Sequence, residues 1–342
     1  MPRTHQHNDE RERNAAGVLL GAMPTSEGRV LVVDDASGLV QDTLAERGCT
    51  VELWQRVQNS RCPGTAWPEC EEVDAATIRL TKDKTAFVMA LHAIASKLKT
   101  GGEVWVYGAN DEGIKSSPKR LSTIFDDVVT VDSRRHCRIL RATRPEAIED
   151  HKAALEAWAR ETVLEFEDGP VEQVSFPGVF AKGRLDPGTK LLLDSIPAPE
   201  PGTQVLDYAA GSGVIALGLS RAQPDLDITV ADADAVSIEA ARQNLPHASA
   251  VVVSRLTDLP DTSAFDLIVA NPPYHDGKAR SEEVVRALIN DAPTRMAPGA
   301  ELWVVLQRQV SVAKLLNTSL SDVKCVAENR RYRVWKATNP AV

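Results

Sequence analysis

Val205-Leu206-Asp207-Tyr208-Ala209-Ala210-Gly211-Ser212-Gly213-Val214 is the stretch whose reading decides the fold. It reads as a strand that runs into a glycine turn and then into a helix, the junction at which an α/β sheet offers its strand ends to a nucleotide-like ligand. Gly211 and Gly213 carry no Cβ, so backbone can approach such a ligand and the turn can take up unusual φ values. Asp207 is placed to meet a positively charged amino group. The turn alone is a weak signal, because Gly-x-Gly is common. About twenty residues on, Ile228-Thr229-Val230-Ala231-Asp232 reads as a second strand ending in an acid. Such an acid accepts both hydroxyls of a ribose or caps the next helix, and the glycine turn behind it favours ribose.

A third segment gives the site its chemistry. Phe265-Asp266-Leu267-Ile268-Val269-Ala270 reads as a buried strand, stopped at once by Asn271-Pro272-Pro273-Tyr274. Two consecutive prolines fix φ and remove two backbone donors. The carbonyls there and the Asn271 side chain are therefore acceptors for an incoming N–H group, and Tyr274 offers a flat face to a planar substrate. Read blandly, Asn-Pro-Pro-Tyr is only a turn. Its place downstream of a glycine turn and an acidic strand end argues for function. That order separates methyl transfer from hydride transfer, since a nicotinamide enzyme has no use for a carboxamide poised on an amine. S-adenosylmethionine is the expected cofactor, and positioning of the nucleophile is the main task left to the protein. No strong general-base candidate is present.

Working outward, strands and helices alternate through both halves of the chain, which predicts mostly parallel sheets with helices on both faces. The halves also look like a duplication. Val73–Leu80 parallels Phe265–Pro272, and Lys99–Val106 parallels Ala297–Val304. Where the second copy has Asn-Pro-Pro-Tyr, the first is read as Leu80-Thr81-Lys82-Asp83, and it lacks the glycine turn. The expected plan is a disordered tail (1–25), a degenerate methyltransferase-like domain (26–145), a connector helix (146–169) and a catalytic domain (170–342).

The chain has 342 residues, ample for two domains, with a formal net charge of −9. Residues 1–160 carry 22 Lys/Arg and 24 Asp/Glu, and residues 161–342 carry 17 and 24, so the acidity sits in the second half. Indiscriminate nucleic-acid binding is thereby disfavoured. Residues 115–144 run the other way, with eight Lys/Arg against three Asp. Lys115, Arg134 and Arg135 in that run are either a solvated face or a patch that contacts phosphates. Five cysteines without Cys-x-x-Cys spacing read as free thiols, and no metal site is expected. No apolar run reaches membrane-spanning length, and the polar first residues lack a signal-peptide core, so a cytoplasmic protein is expected.

Asn271-Pro272-Pro273-Tyr274-His275-Asp276-Gly277 resembles the signature of the ribosomal RNA guanine-N2 methyltransferases of the RsmC/RlmG type. Pro177-Gly178-Val179-Phe180 and Leu185-Asp186-Pro187-Gly188-Thr189 resemble the segment before their catalytic domain. Gly108–Ser116 and Val131–Cys137 extend the resemblance into the first half. It implies two tandem Rossmann-like methyltransferase domains, the first recognising RNA and the second methylating a guanine exocyclic amine with S-adenosylmethionine. Asp207, Ala209, Gly211, Gly213, Asp232, Arg255 and Asn271 fall on cofactor positions, Asn271 to Tyr274 on the catalytic loop, and His275 beside the substrate. The implied partner is ribosomal RNA or the small ribosomal subunit, with an unpaired or flipped base stacked on Tyr274. Two departures stand out: Ala209 replaces a usual glycine, and Ser254-Arg255 stands where an adenine-contacting acid or amide is expected, with Asp258 close behind. A protein glutamine methyltransferase and a non-catalytic RNA-binding factor with a decayed cofactor site are the rival readings.

Overall fold

The structure is a computed structural model that describes residues 3–24, 27–260, 264–273 and 278–340. The chain divides into two compact units, Met1–Ala159 and Arg160–Val342.

The first unit runs α1 (Arg3–Ala22), β1 (Arg29–Val33), α2 (Leu39–Glu46), β2 (Thr50–Trp54), β3 (Val73–Arg79), α3 (Lys84–Lys97), β4 (Leu98–Ala109), α4 (Pro118–Leu121), β5 (Asp126–Asp132) and β6 (Cys137–Thr143). Its six strands lie in the order β2-β1-β3-β4-β6-β5, parallel as far as β4 and antiparallel beyond it. Alternate residues of each strand feed opposite faces, as the two-residue period of a strand requires. Val30, Val32, Trp105 and Tyr107 meet α1 and α2, whereas Leu31, Val33, Val104 and Val106 meet α3 and α4.

The expected disordered tail is instead the helix α1. Its first half is polar, which hid the signal, but Ala15, Ala16, Val18, Leu19 and Leu20 are buried against β4, β6 and α2. Removing that apolar surface from water outweighs the polar start. The expected connector helix is also absent. Residues 155–158 form one 3₁₀ turn, and strand β7 starts at Arg160.

The second unit runs β7 (Arg160–Phe166), β8 (Gly169–Ser175), α5 (Pro187–Leu193), β9 (Gln204–Tyr208), α6 (Val214–Ala222), β10 (Asp227–Asp232), α7 (Ala235–Asn244), β11 (Ser249–Val252), β12 (Phe265–Ala270), α8 (Lys278–Asp291), β13 (Met296–Gln307), α9 (Ala313–Leu316), β14 (Ser321–Glu328) and β15 (Tyr332–Thr338). Seven strands form one sheet in the order β11-β10-β9-β12-β13-β15-β14, and β7–β8 is a separate antiparallel hairpin. Val205 and Val269 face α5 and α6; Leu206 and Ile268 face α8 and α9.

The internal repeat reaches the level of register. Val73 pairs with Leu98, a bulge follows, and Ala75 pairs with Glu103 through to Ile78 with Val106. Phe265 pairs with Met296, a bulge follows, and Leu267 pairs with Glu301 through to Ala270 with Val304. Asp74 and Asp266 each accept the N–H that opens the neighbouring strand, from Arg29 at 2.8 Å and from Gln204 at 3.0 Å. The same register corrects one expectation. Arg79-Leu80-Thr81-Lys82, not Leu80-Thr81-Lys82-Asp83, stands at the position of Asn-Pro-Pro-Tyr. Among the described residues the first unit is also one strand short, with no counterpart of β11.

Candidate functional site

The loops at the C-terminal ends of β9 and β12, with the segment around Phe180 to Thr189, line a cleft of about 350 Å³, open to solvent. The glycine turn forms its floor, Phe180, Ala181 and Arg184 one wall, and Asn271 and Asp186 another.

The turn departs sharply from extended geometry. Ala209 has φ 58°, Gly211 57° and Gly213 80°. A Cβ on Gly213 would lie 2.8 Å from Leu245 Cδ1, so both space and φ demand glycine there. Ala209 takes the left-handed conformation with a side chain, at a cost of about 1 kcal/mol. Asp34, its register counterpart after β1, does the same at φ 56°. Asp232 ties the turn to β10, with Oδ2 accepting the Gly211 N–H at 2.9 Å and Oδ1 accepting the Asp234 N–H at 2.9 Å. Helix α7 is capped by Asp234, not by Asp232. The bland capping role of Asp232 thus falls to its neighbour, and Asp232 stays at the strand end where a ribose would lie.

Asp207 is fully buried under the turn and does not line the cleft. Its Oδ2 accepts the Ala216 N–H in the first turn of α6 at 3.0 Å, while Oδ1 has no partner. Burial, with the nearby Asp232 charge adding to it, pushes this carboxyl up to about 7. An unpartnered buried oxygen below a turn built to admit a ligand fits a cationic ligand group nearby. Arg255, by contrast, forms a bidentate pair with Asp291, at 3.0 and 2.7 Å. Asp258 accepts from Ser254 Oγ and the Arg255 N–H, so Ser254, Arg255 and Asp258 are all engaged in local contacts.

The sequence reading missed what holds Asn271. Asp186 caps α5 through Oδ2, which accepts the N–H groups of Gly188 at 2.8 Å and Thr189 at 3.1 Å. The same Oδ2 accepts from Asn271 Nδ2 at 3.2 Å, and Thr189 Oγ1 accepts from it at 2.9 Å. A carboxylate only accepts, so the amide must turn its NH₂ toward α5 and leave Oδ1 as the acceptor for a substrate. Asp followed by Pro at the first helical position is a readable cap; its second task is invisible without the fold. A second unseen brace is Asn244, whose Nδ2 donates to the carbonyls of Val174 and Ser212 while its Oδ1 accepts the Val174 N–H. It fastens β8 to the glycine turn.

Pro272 is buried and Pro273 exposed, while Tyr274 and His275 lie outside the described residues. In the first unit, Arg134 pairs with Asp132 at 2.6 Å, and Lys115 and Arg135 are exposed. All three lie at the sheet end formed by β4 and the β5–β6 turn, where the Asn110 N–H donates to the His136 carbonyl. Part of the basic run is spent internally: Arg141 pairs with Glu103, and Arg144 donates to the Ala95 carbonyl. Among the described residues no cluster of three or more metal-ligating side chains occurs, and no helix is long and apolar enough to cross a membrane.

Comparison with known proteins agrees with this geometry. The "Methyltransferase small domain" family matches residues 171–336, and "Methyltransferase small domain N-terminal" matches residues 37–162. "Ribosomal RNA small subunit methyltransferase C" of Alcanivorax borkumensis is 30% identical over 332 residues, spanning 95% of this chain and 98% of that protein. Its namesake in Pseudomonas entomophila is 32% identical over 282 residues, 82% of this chain and 83% of that one. Among solved structures, the T. thermophilus 16S rRNA N2 G1207 methyltransferase, in complex with AdoMet and guanosine, superposes with a TM-score of 0.82 at 22% identity. That match covers 95% of this chain and 92% of that one.

Proposed function

Because this chain belongs to the ribosomal RNA small subunit methyltransferase C family, we propose that it transfers a methyl group from S-adenosylmethionine to the exocyclic N2 amine of a guanine in small-subunit ribosomal RNA. The observation that carries this reading is the orientation of Asn271, whose amide oxygen is left over as an acceptor at the rim of the cleft.

The residues fit the cofactor. Gly211 lets backbone approach it, Gly213 lets the turn pack against Leu245, Asp232 stands where the ribose hydroxyls would be accepted, and Asp207 lies beneath its amino group. Bound there, S-adenosylmethionine supplies a methyl carbon on a sulfonium leaving group. Asn271 Oδ1 and the proline-flanked carbonyls accept the N–H bonds of the guanine amine and aim its lone pair. As nitrogen gains positive charge in the transition state, these oxygens stabilise it. The surplus proton then leaves to water. Tyr274 stacks the flipped base and His275 lies beside it. Ala209 borders the cofactor, and Arg255 acts only by shaping the loop after β11. The first unit, with Lys115, Arg134 and Arg135, contacts the RNA backbone. The protein works in the cytoplasm.

Incubating the protein with methyl-labelled S-adenosylmethionine and unmodified small-subunit RNA or subunits should yield N2-methylguanosine on nucleoside mass spectrometry. Label in protein glutamine and none in RNA would favour the glutamine reading. Absence of cofactor binding by calorimetry would favour a decayed site.

A further inference from the structure

The first unit carries a cleft of about 270 Å³ between the N-terminus of α3 and the segment that follows β4. By register it lies where the second unit has its catalytic loop, since Leu80 and Thr81 stand at the positions of Pro272 and Pro273. Its chemistry differs from that of the loop it parallels. Arg79 takes the place of Asn271 and is spent on Glu112, at 2.7 Å. Glu112 also accepts the Ala109 N–H at 2.8 Å, so the carboxylate lining the cleft is already neutralised.

What remains is a set of donors. Lys84 is the first residue of the fourteen-residue α3, and neither it nor Arg120 has an ion-pair partner among the described residues. A cation at a helix N-terminus opposes the helix dipole, so folding gives no reason for Lys84. Asp83 does not answer it, because that carboxylate is turned onto the Thr85 and Ala86 N–H groups. Arg120 is held over the cleft by its bonds to the Ser116 carbonyl and hydroxyl. Ser117 also lines the cleft; it is 1% exposed, and its hydroxyl has no hydrogen-bond partner. The Thr81 hydroxyl is likewise unpartnered. An unmade hydrogen bond in a buried hydroxyl is costly unless a ligand completes it. Two cations and two waiting hydroxyls make a receptor for a tetrahedral anion.

We propose that this cleft binds a phosphate group, contributed by the backbone of the RNA substrate. The first unit has thus converted the slot of a lost catalytic loop into an anchor that reads no base. The inference rests on the reading of the chain as an RNA methyltransferase only for the source of the phosphate.

The test uses the full chain and three variants, Ser117→Ala, Lys84→Gln and Lys84→Gln/Arg120→Gln. Affinity for a small-subunit RNA fragment and for an unrelated RNA of equal length is measured across a salt series. Thermal stability is measured with and without inorganic phosphate. Ser117→Ala removes an unsatisfied hydroxyl, so its melting temperature should match or exceed the parent's while RNA affinity falls. The double variant should weaken both RNAs by about tenfold and lower the salt slope by one to two. S-adenosylmethionine affinity should not change. If RNA binding is untouched but inorganic phosphate stabilises the parent and not Ser117→Ala, the cleft takes free phosphate. Unchanged RNA affinity together with no phosphate effect overturns the proposal, as does weakening of one RNA alone, which would mean base contact. Failure of the parent to bind any RNA would count against the methyltransferase reading, and the inorganic-phosphate arm would still decide the cleft.

Discussion

At the scale of single residues, the environment of a few side chains dictates what they can do. Asn271→Ala removes the acceptor together with its two bonds to α5, so the rate of transfer should fall by about a hundredfold, while the Kd for S-adenosylmethionine stays near the parent value. Ala209 is left-handed at φ 58°, and Ala209→Gly should stabilise the protein by about 1 kcal/mol in a denaturant titration. An unchanged midpoint would mean that the turn carries no strain. Asp207 gives a pH signature. Its carboxyl is held at about 7 in the fold against 3.8 in the unfolded chain, so the native state keeps a proton that the unfolded state releases. Its contribution therefore falls as pH rises through that window, by at most about 1.4 kcal/mol per unit. Asp207→Asn should flatten the difference in stability between mildly acidic and neutral pH; an identical pH profile would contradict the buried charge. These residues were legible in the sequence because each sits at a strand end flagged by glycine, proline or acid. The protonation of Asp207 was not, since it depends on how deeply the turn covers it.

At the scale of elements, the site is held by connections that join distant segments. Helix α5 hands Asn271 its orientation through Asp186 and Thr189, 85 and 82 residues away. Thr189→Val keeps the shape and loses the acceptor. Its kcat should fall by about tenfold with KM for the cofactor unchanged, because a freed amide samples the wrong face. A change in KM alone would return Thr189 to a purely structural role. The Asp-Pro helix start was readable as a cap, whereas its grip on Asn271 needed the chain to be folded. Helix α1 failed for a related reason. Its apolar residues crowd into one end of a polar segment, and only the sheet face they cover makes them a helix.

At the scale of the whole molecule, two units share one strand plan but not one chemistry. The repeat was legible from two matched segments, and the shared bulge between Val73 and Ala75 and between Phe265 and Leu267 extends it to hydrogen-bond register. The off-by-one at the catalytic loop was a slip against that same alignment, since setting Val73–Leu80 on Phe265–Pro272 already places Arg79 on Asn271, as the register does. In the first unit, Asp34 and Asp35 stand where the glycine turn begins, and Asp35 is spent on the N–H groups of Val40 and Gln41. Gln55 stands at the place of Asp232 and donates to the Asp35 carbonyl. Calorimetry should therefore find one S-adenosylmethionine per chain, and a stoichiometry of two would contradict the loss of the first site.

The claim beneath all of this is that a carboxamide locked by α5 receives a guanine amine beside the glycine turn of the second unit. Single-turnover transfer to small-subunit RNA, run with saturating S-adenosylmethionine on the parent and on Asn271→Ala, tests it most directly. The parent should yield N2-methylguanosine, and the variant should do so at a rate at least tens of times lower at equal cofactor occupancy. Equal rates from the two proteins would contradict it.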